Sequence, residues 1–127
     1  MYGFTKKIDT DYDDAIERVR EALMDEGFGV LTEIDVKATL KAKLDVDFRR
    51  YMILGACNPP FAHNALSAEL DIGLLMPCNV IVYENDGGGS TVGMIDASMM
   101  ATATGNDSLG PLADDVNAKL KKVLASL

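Results

Sequence analysis

Cysteine is scarce in this chain, with two residues in 127. So few cannot staple a disulfide scaffold, in which cross-links stand in for a missing core. Histidine occurs once, so no HExxH zinc helix exists, and neither a Ser-His-Asp order nor GxGxxG nor CxxC is present. Cations are outnumbered: 12 Lys and Arg face 20 Asp and Glu, a net charge of −8. An acidic chain of this kind does not suit sequence-independent nucleic-acid binding, which needs a basic face to neutralise phosphates. Long apolar runs are missing as well. The run Val80 to Tyr83 is separated from Leu74 to Pro77 by Cys78 and Asn79, and no window approaches the ~18 residues that suggest a membrane span. Residues 1–8 lack the apolar stretch of a signal peptide and acids begin at Asp9, so export is not expected. The default is a cytoplasmic, reducing location with both thiols free.

What is present suits a globular domain. Hydrophobic residues make up 48% and charged residues 25%, average proportions that exclude disordered, collagen-like and coiled-coil classes. A chain of this length forms one domain, residues 1–127, and buries roughly two-thirds of its unfolded surface. No linker interrupts it.

Periodicity predicts the elements. Tyr2, Phe4 and Ile8 share one face of a first strand, Tyr2 to Ile8. Asp9 or Thr10 then caps a helix whose stripe is Tyr12, Ile16, Val19 and Leu23. Gly27 and Gly29 stop it ahead of a strand from Phe28 to Thr32. Asp35 caps a short helix with Val36, Leu40 and Leu44 on one face, followed by a strand from Tyr51 to Ala56. Pro59 and Pro60 open a helix carrying Phe61, Ala65, Leu66 and Leu70. Val80 to Glu84 and Thr91 to Ile95 flank the polar loop Asn85 to Ser90, a hairpin pattern. Ser108 caps a last helix with Pro111 in its first turn and Leu112, Val116, Leu120, Val123 and Leu127 as its stripe. The order β-α-β-α-β-α-β-β-α implies an α+β domain, a mostly antiparallel sheet with helices packed on one face. A doubly wound α/β sheet is the alternative, which the hairpin disfavours.

Three blocks carry a family resemblance: EGFGVLTEIDVKATLKAKL at Glu26 to Leu44, DFRRYMILGACNPPFAH at Asp47 to His63, and IGLLMPCNVIVYE at Ile72 to Glu84. Together they resemble domain-of-unknown-function family 302, and the likeness covers essentially the whole chain. The resemblance implies a small α+β domain that tends to form a homodimer, and it implies no reaction. One departure is local: the family usually has Asp-Pro after the last hairpin, and here Ala97 follows Asp96. The rigidity of that turn is then in question, because Pro would have set φ.

The strongest chemical constellation is Cys57, His63 and Cys78. Each Cys precedes an Asn, giving Cys57-Asn58 and Cys78-Asn79, and each lies at a strand end. If those strands are antiparallel neighbours, both thiols converge at one rim of the sheet, with His63 in the first turn of the intervening helix. Three N and S ligands would suit zinc or a soft ion such as Cu(I), with Met76 adding a thioether. A nearby helix N-terminus would alternatively lower a thiol pKa and make a redox group or nucleophile. Against both, C-x5-H-x14-C is not an established metal spacing, and a strand-end Cys commonly packs as a small apolar side chain. His63 taken alone suits a solvent-facing or hydrogen-bonded role. Asn58 and Asn79 suit turn closure, or could offer amides to a small anion.

Other features read as structural. Gly87 to Gly89 resemble a phosphate loop only superficially, with no Lys-Ser/Thr after them, and fit a hairpin tip. The basic run Lys37, Lys41, Lys43, Arg49 and Arg50 is interleaved with Asp45 and Asp47, which suggests a solvated face with local ion pairs. Met94, Met99 and Met100 could line a pocket or an interface, or fill gaps in the core. Asp13-Asp14 and Asp114-Asp115 suit helix N-terminal turns. The sequence therefore points to a homodimeric domain that binds a small ligand or partner near Cys57, Asn58, His63, Cys78 and Asn79, with no cofactor specified and binding ahead of catalysis. A thiol-based redox or metal-handling role is the rival.

Overall fold

A computed structural model describes residues 2–127. Strands β1 (Gly3–Ile8), β2 (Gly29–Asp35), β3 (Tyr51–Cys57), β4 (Cys78–Glu84) and β5 (Ser90–Ile95) form one sheet. Its order is β1-β5-β4-β3-β2, and every neighbouring pair is antiparallel. This is the α+β arrangement expected from the hairpin, and the doubly wound alternative is excluded.

Register explains where the core forms. Leu54 lies opposite Val80, Val80 opposite Met94, and Met94 opposite Phe4, so these side chains make one row across the sheet. Met52, Val82 and Val92 make the next. Helices α1 (Tyr12–Asp25) and α5 (Gly110–Ala125) lie over these rows. Tyr12, Ala15, Ile16, Val19 and Leu23 of α1 and Ala113, Val116, Leu120 and Val123 of α5 are buried against them. Both stripes follow the three- and four-residue spacing that gathers apolar side chains on one helix face. Lys6 sits at the margin of this face, and its Nζ donates to the carbonyls of Leu124 and Leu127 at 3.2 and 2.8 Å. A cation there complements the negative end of α5.

Several local expectations are corrected. The cap of α1 is Asp11, whose carboxylate accepts from the Asp14 N–H at 3.1 Å, rather than Asp9 or Thr10. Asp35 does cap α2 (Val36–Leu44), accepting from the Ala38 N–H at 3.0 Å. However, α2 buries no residue fully: Val36 and Leu40 are half-buried beside β2 and β3, and Leu44 is exposed beyond them. β2 begins at Gly29 and runs on to Asp35 through a register shift between Val30 and Thr32. Helix α3 (Pro59–Ala68) stops before Leu70, which opens a 3-10 turn, Leu70–Leu75, and stands exposed. An additional helix, α4 (Ser98–Thr104), precedes α5. Ser108 does not cap α5: its hydroxyl donates to Asn106 Oδ1 at 2.6 Å within a short 3-10 turn, Asp107–Leu109. Asp114 and Asp115 fall beyond the first turn of α5.

The Asp96-Ala97 turn is held by side chains. Asp96 accepts from the Ser98 N–H, the Ser98 hydroxyl and Asn117 Nδ2 at 2.9, 2.6 and 2.8 Å, and Asn117 Oδ1 accepts from the Ala97 N–H at 2.8 Å. Proline at 97 would lack that last donor. The Ser98 hydroxyl bond in particular draws the Asp96 carboxyl below its ordinary range. The other singled-out features find structural roles. Gly88 and Gly89 take positive φ at the hairpin tip. Lys41 pairs with Asp45 and Asp47, Arg49 with Asp86, and Arg50 with Glu84 and Asp13. Among the described residues no helix is long and apolar enough to cross a membrane.

The capping assignment is directly testable. Asp11→Ala should lower stability by about 1 kcal/mol in urea denaturation, the usual value of an N-cap carboxylate, while Asp9→Ala should stay within ~0.5 kcal/mol. Equal losses would return the cap to the earlier residue.

Candidate functional site

The site begins with the β3–β4 pairing. Cys57 is the last residue of β3 and Cys78 the first of β4, and register places Ala56 opposite Cys78. The two strand ends converge at one rim, as antiparallel neighbours must. Here Cys57, Asn58 and Cys78 line an apolar cavity of about 40 Å³.

The cavity lies at the seam of two hydrophobic clusters. On one side Phe28, Ala56, Ala113 and Val116 belong to the main core between sheet and helices. On the other, Ala65, Met76, Met100, Leu109 and Leu112 belong to a second, smaller cluster built by α3, the two 3-10 turns, α4 and the start of α5. The alanines at 56, 65 and 113 present only methyl groups to this seam, so space is left where longer side chains would have closed it. Among the described residues that line it, Asn58 carries the only amide. It occupies the N-cap position of α3, yet its side chain makes no capping bond and instead directs Nδ2 toward the Glu26 carbonyl at 3.5 Å.

Electrostatics keep the cavity neutral. Burial, and secondarily the neighbouring Cys57, pushes the Cys78 thiol up from its ordinary value of 9.0 to about 11. Cys78 therefore stays protonated at neutral pH and behaves as a small apolar side chain. A helix N-terminus lies close in sequence, but desolvation outweighs any lowering it exerts.

The five sequence candidates divide. Cys57, Asn58 and Cys78 meet at the cavity, and Met76 joins them. His63 does not: it is exposed on α3, and Phe61, Ala62 and Ala65 are the residues that face the seam. Among the described residues no group of three His, Cys, Asp or Glu is placed to hold a metal ion, so the Cys57, His63 and Cys78 set is not assembled. Asn79 lies opposite Gly55 inside β4, not in a turn, and lines a separate hollow on the other face of the sheet. The two amides therefore do not converge on one anion. Of the methionines, Met94 is core, Met99 is exposed and Met100 lines the cavity. Phe28, Leu109 and Ala113 were not legible as site residues, because each looks like an ordinary core position in its own element.

Because the Cys78 pKa is raised by folding, the unfolded chain loses this proton first. Its contribution to stability is complete below about pH 9, declines as pH rises toward about 11, and is spent above that. Tyr12, raised by burial from 10.0 to about 12, adds a later decline over that interval. Urea denaturation at stepped pH should show both, and Cys78→Ala should remove the earlier one. An unchanged slope in Cys78→Ala would contradict a buried, neutral thiol.

With the fold and cavity described, comparison with known proteins adds the family. A search of the curated proteins gives no match to this chain. Among solved structures it is similar to the crystal structure of an uncharacterized conserved protein DUF302 from Bacillus stearothermophilus, with 32% identity and a TM-score of 0.91 over 98% of this chain and 97% of that one. The profile described as "Domain of unknown function DUF302" matches residues 4–127. The chain belongs to the DUF302 family.

Proposed function

We propose that this is a cytoplasmic binding domain, without catalysis, whose cavity beside Cys57, Asn58 and Cys78 takes a small apolar molecule or the apolar end of a larger one. The observation that carries the reading is the seam itself. Two hydrophobic clusters meet without fusing, and the space between them is lined by methyl, thioether, thiol and aromatic groups. Ligand sites are typically apolar with a few placed polar groups, and Asn58 is the polar group here. About 40 Å³ exceeds what one water needs, and an apolar cavity offers water few partners. A small hydrocarbon group loses nothing by entering it.

A second reading, soft-metal or thiol chemistry, draws support from one fact. The side chains of Cys57, Cys78, Met76 and Met100 all line the same cavity, and thiolate and thioether donors select Cu(I). The raised Cys78 pKa weighs against it, since metal binding must first remove that proton. Native mass spectrometry after exposure to Cu(I) under reducing conditions separates the readings: a stoichiometric metal adduct abolished by Cys78→Ala supports the second and counts against the first.

Xenon, which enters dry apolar cavities, tests the preferred reading. Xenon pressure should shift the methyl signals of Ala65 and Ala113 saturably. Ala62→Val, which adds two methyl groups to the lining, should abolish those shifts while changing stability by less than ~1.5 kcal/mol. Absence of saturable shifts in the unsubstituted protein would overturn the proposal.

A further inference from the structure

Asn58 keeps an acceptor in reserve. It stands at the N-cap of α3, but Pro59 and Pro60 fill the first helical positions, where proline brings no N–H, and no capping bond forms. Its Nδ2 instead faces the Glu26 carbonyl at 3.5 Å. Because a carbonyl only accepts, that contact places the amide nitrogen there and turns Oδ1 away from it. The turn between α1 and β2 makes the approach possible: Gly27 takes a φ of 84°, and a Cβ on it would lie 3.1 Å from Nδ2. Among the described residues none donates to Oδ1. Every fully buried side-chain oxygen or nitrogen among them has a partner, so this unpartnered atom is within reach of water.

The rest of the cavity limits what can meet that acceptor. No Asp, Glu, Lys, Arg or His is among the described residues that line it. An ammonium or carboxylate entering there would shed its hydration without gaining a counter-ion. Size is the second limit: about 40 Å³, at ~10–15 Å³ for a water-sized group, holds roughly three or four such groups. Ala56, Leu109 and Ala113 are buried whereas Asn58 is half-buried. The amide therefore stands at the mouth, and the apolar walls lie deeper.

We infer that the molecule taken by this cavity is a neutral alcohol of about three carbons, its hydroxyl donating to Asn58 Oδ1 at the mouth and its carbons packed against Leu109 and Ala113 inside. The inference rests on the reading of the seam as an apolar binding site and adds to it the chemistry of the bound group. A hydroxyl is small, uncharged and able to donate. A ketone or an ether of the same size would meet Oδ1 oxygen to oxygen and have only the two thiols, which are weak donors, to turn to. It would also displace water from Oδ1 without replacing the bond, and an acceptor left bare in this way costs affinity.

2-Propanol and acetone share one carbon skeleton and differ in whether the oxygen carries a proton, which makes them the probes. Each is titrated over the millimolar range while the methyl signals of Ala65 and Ala113 are followed. 2-Propanol should bind several-fold more tightly than acetone, and isopropylammonium should give no saturable shift. Asn58→Ala should cut the alcohol-to-ketone ratio by about three- to tenfold, the usual worth of one neutral hydrogen bond, and leave the xenon shifts in place. Acetone binding as tightly as 2-propanol, or no saturable shift with 2-propanol, overturns the inference; that comparison needs no variant and decides the matter if Asn58→Ala fails to fold. A ratio unchanged in a folded Asn58→Ala overturns it as well. Xenon shifts without selectivity for the alcohol refute this assignment alone, whereas loss of the xenon shifts too refutes the binding site beneath it.

Discussion

The alternation of side chains along β3, β4 and β5 is the constraint on which the rest of this structure depends. β3 is apolar throughout and β4 at most positions, so both supply two hydrophobic faces, whereas antiparallel sheets with one solvated face usually alternate apolar with polar. Val80 and Val82 are fully buried under the helices, and Ile81 between them and Tyr83 after them point the other way. Two long helices suffice for one face. The other keeps an apolar surplus around Ile34, Ile53 and Ile81, edged by Arg49 over the Tyr83 ring and its partner Asp86.

The same strands set the cavity. β3 and β4 end together at the rim where the sheet hands over to α3, and there the main core gives way to the small cluster around Ile72 and Leu109. Joining two clusters through alanine methyls costs some packing, since each unfilled volume forfeits dispersion contacts. A natural protein that keeps such a seam lined with neutral groups, including a thiol held protonated by burial, has a site suited to apolar matter rather than to charge. The cavity and the open face lie on different sides of the sheet.

Much of this was legible in the amino-acid order. The stripes of α1 and α5 were evident because their spacing is regular and their opposite faces are charged. The convergence of Cys57 and Cys78 followed from an antiparallel pairing of two strand ends. His63 was misplaced by helix phase. Phe61, Ala62 and Ala65 share one side of α3, and a residue two before Ala65 points roughly 160° away from it. The cap of α1 was ambiguous because Asp9, Thr10 and Asp11 are all competent and only backbone geometry chooses among them. α4 escaped notice because Ser98–Thr104 has no contrast between faces. The stripe on α2 was real but only partly covered, since periodicity records which side chains could be buried and not how fully anything covers them.

The apolar cavity at the seam is tested most directly by a crystal structure determined under xenon pressure. The account predicts xenon between Phe28, Met76, Met100 and Leu109. Xenon bound only elsewhere, or none at all, would contradict it.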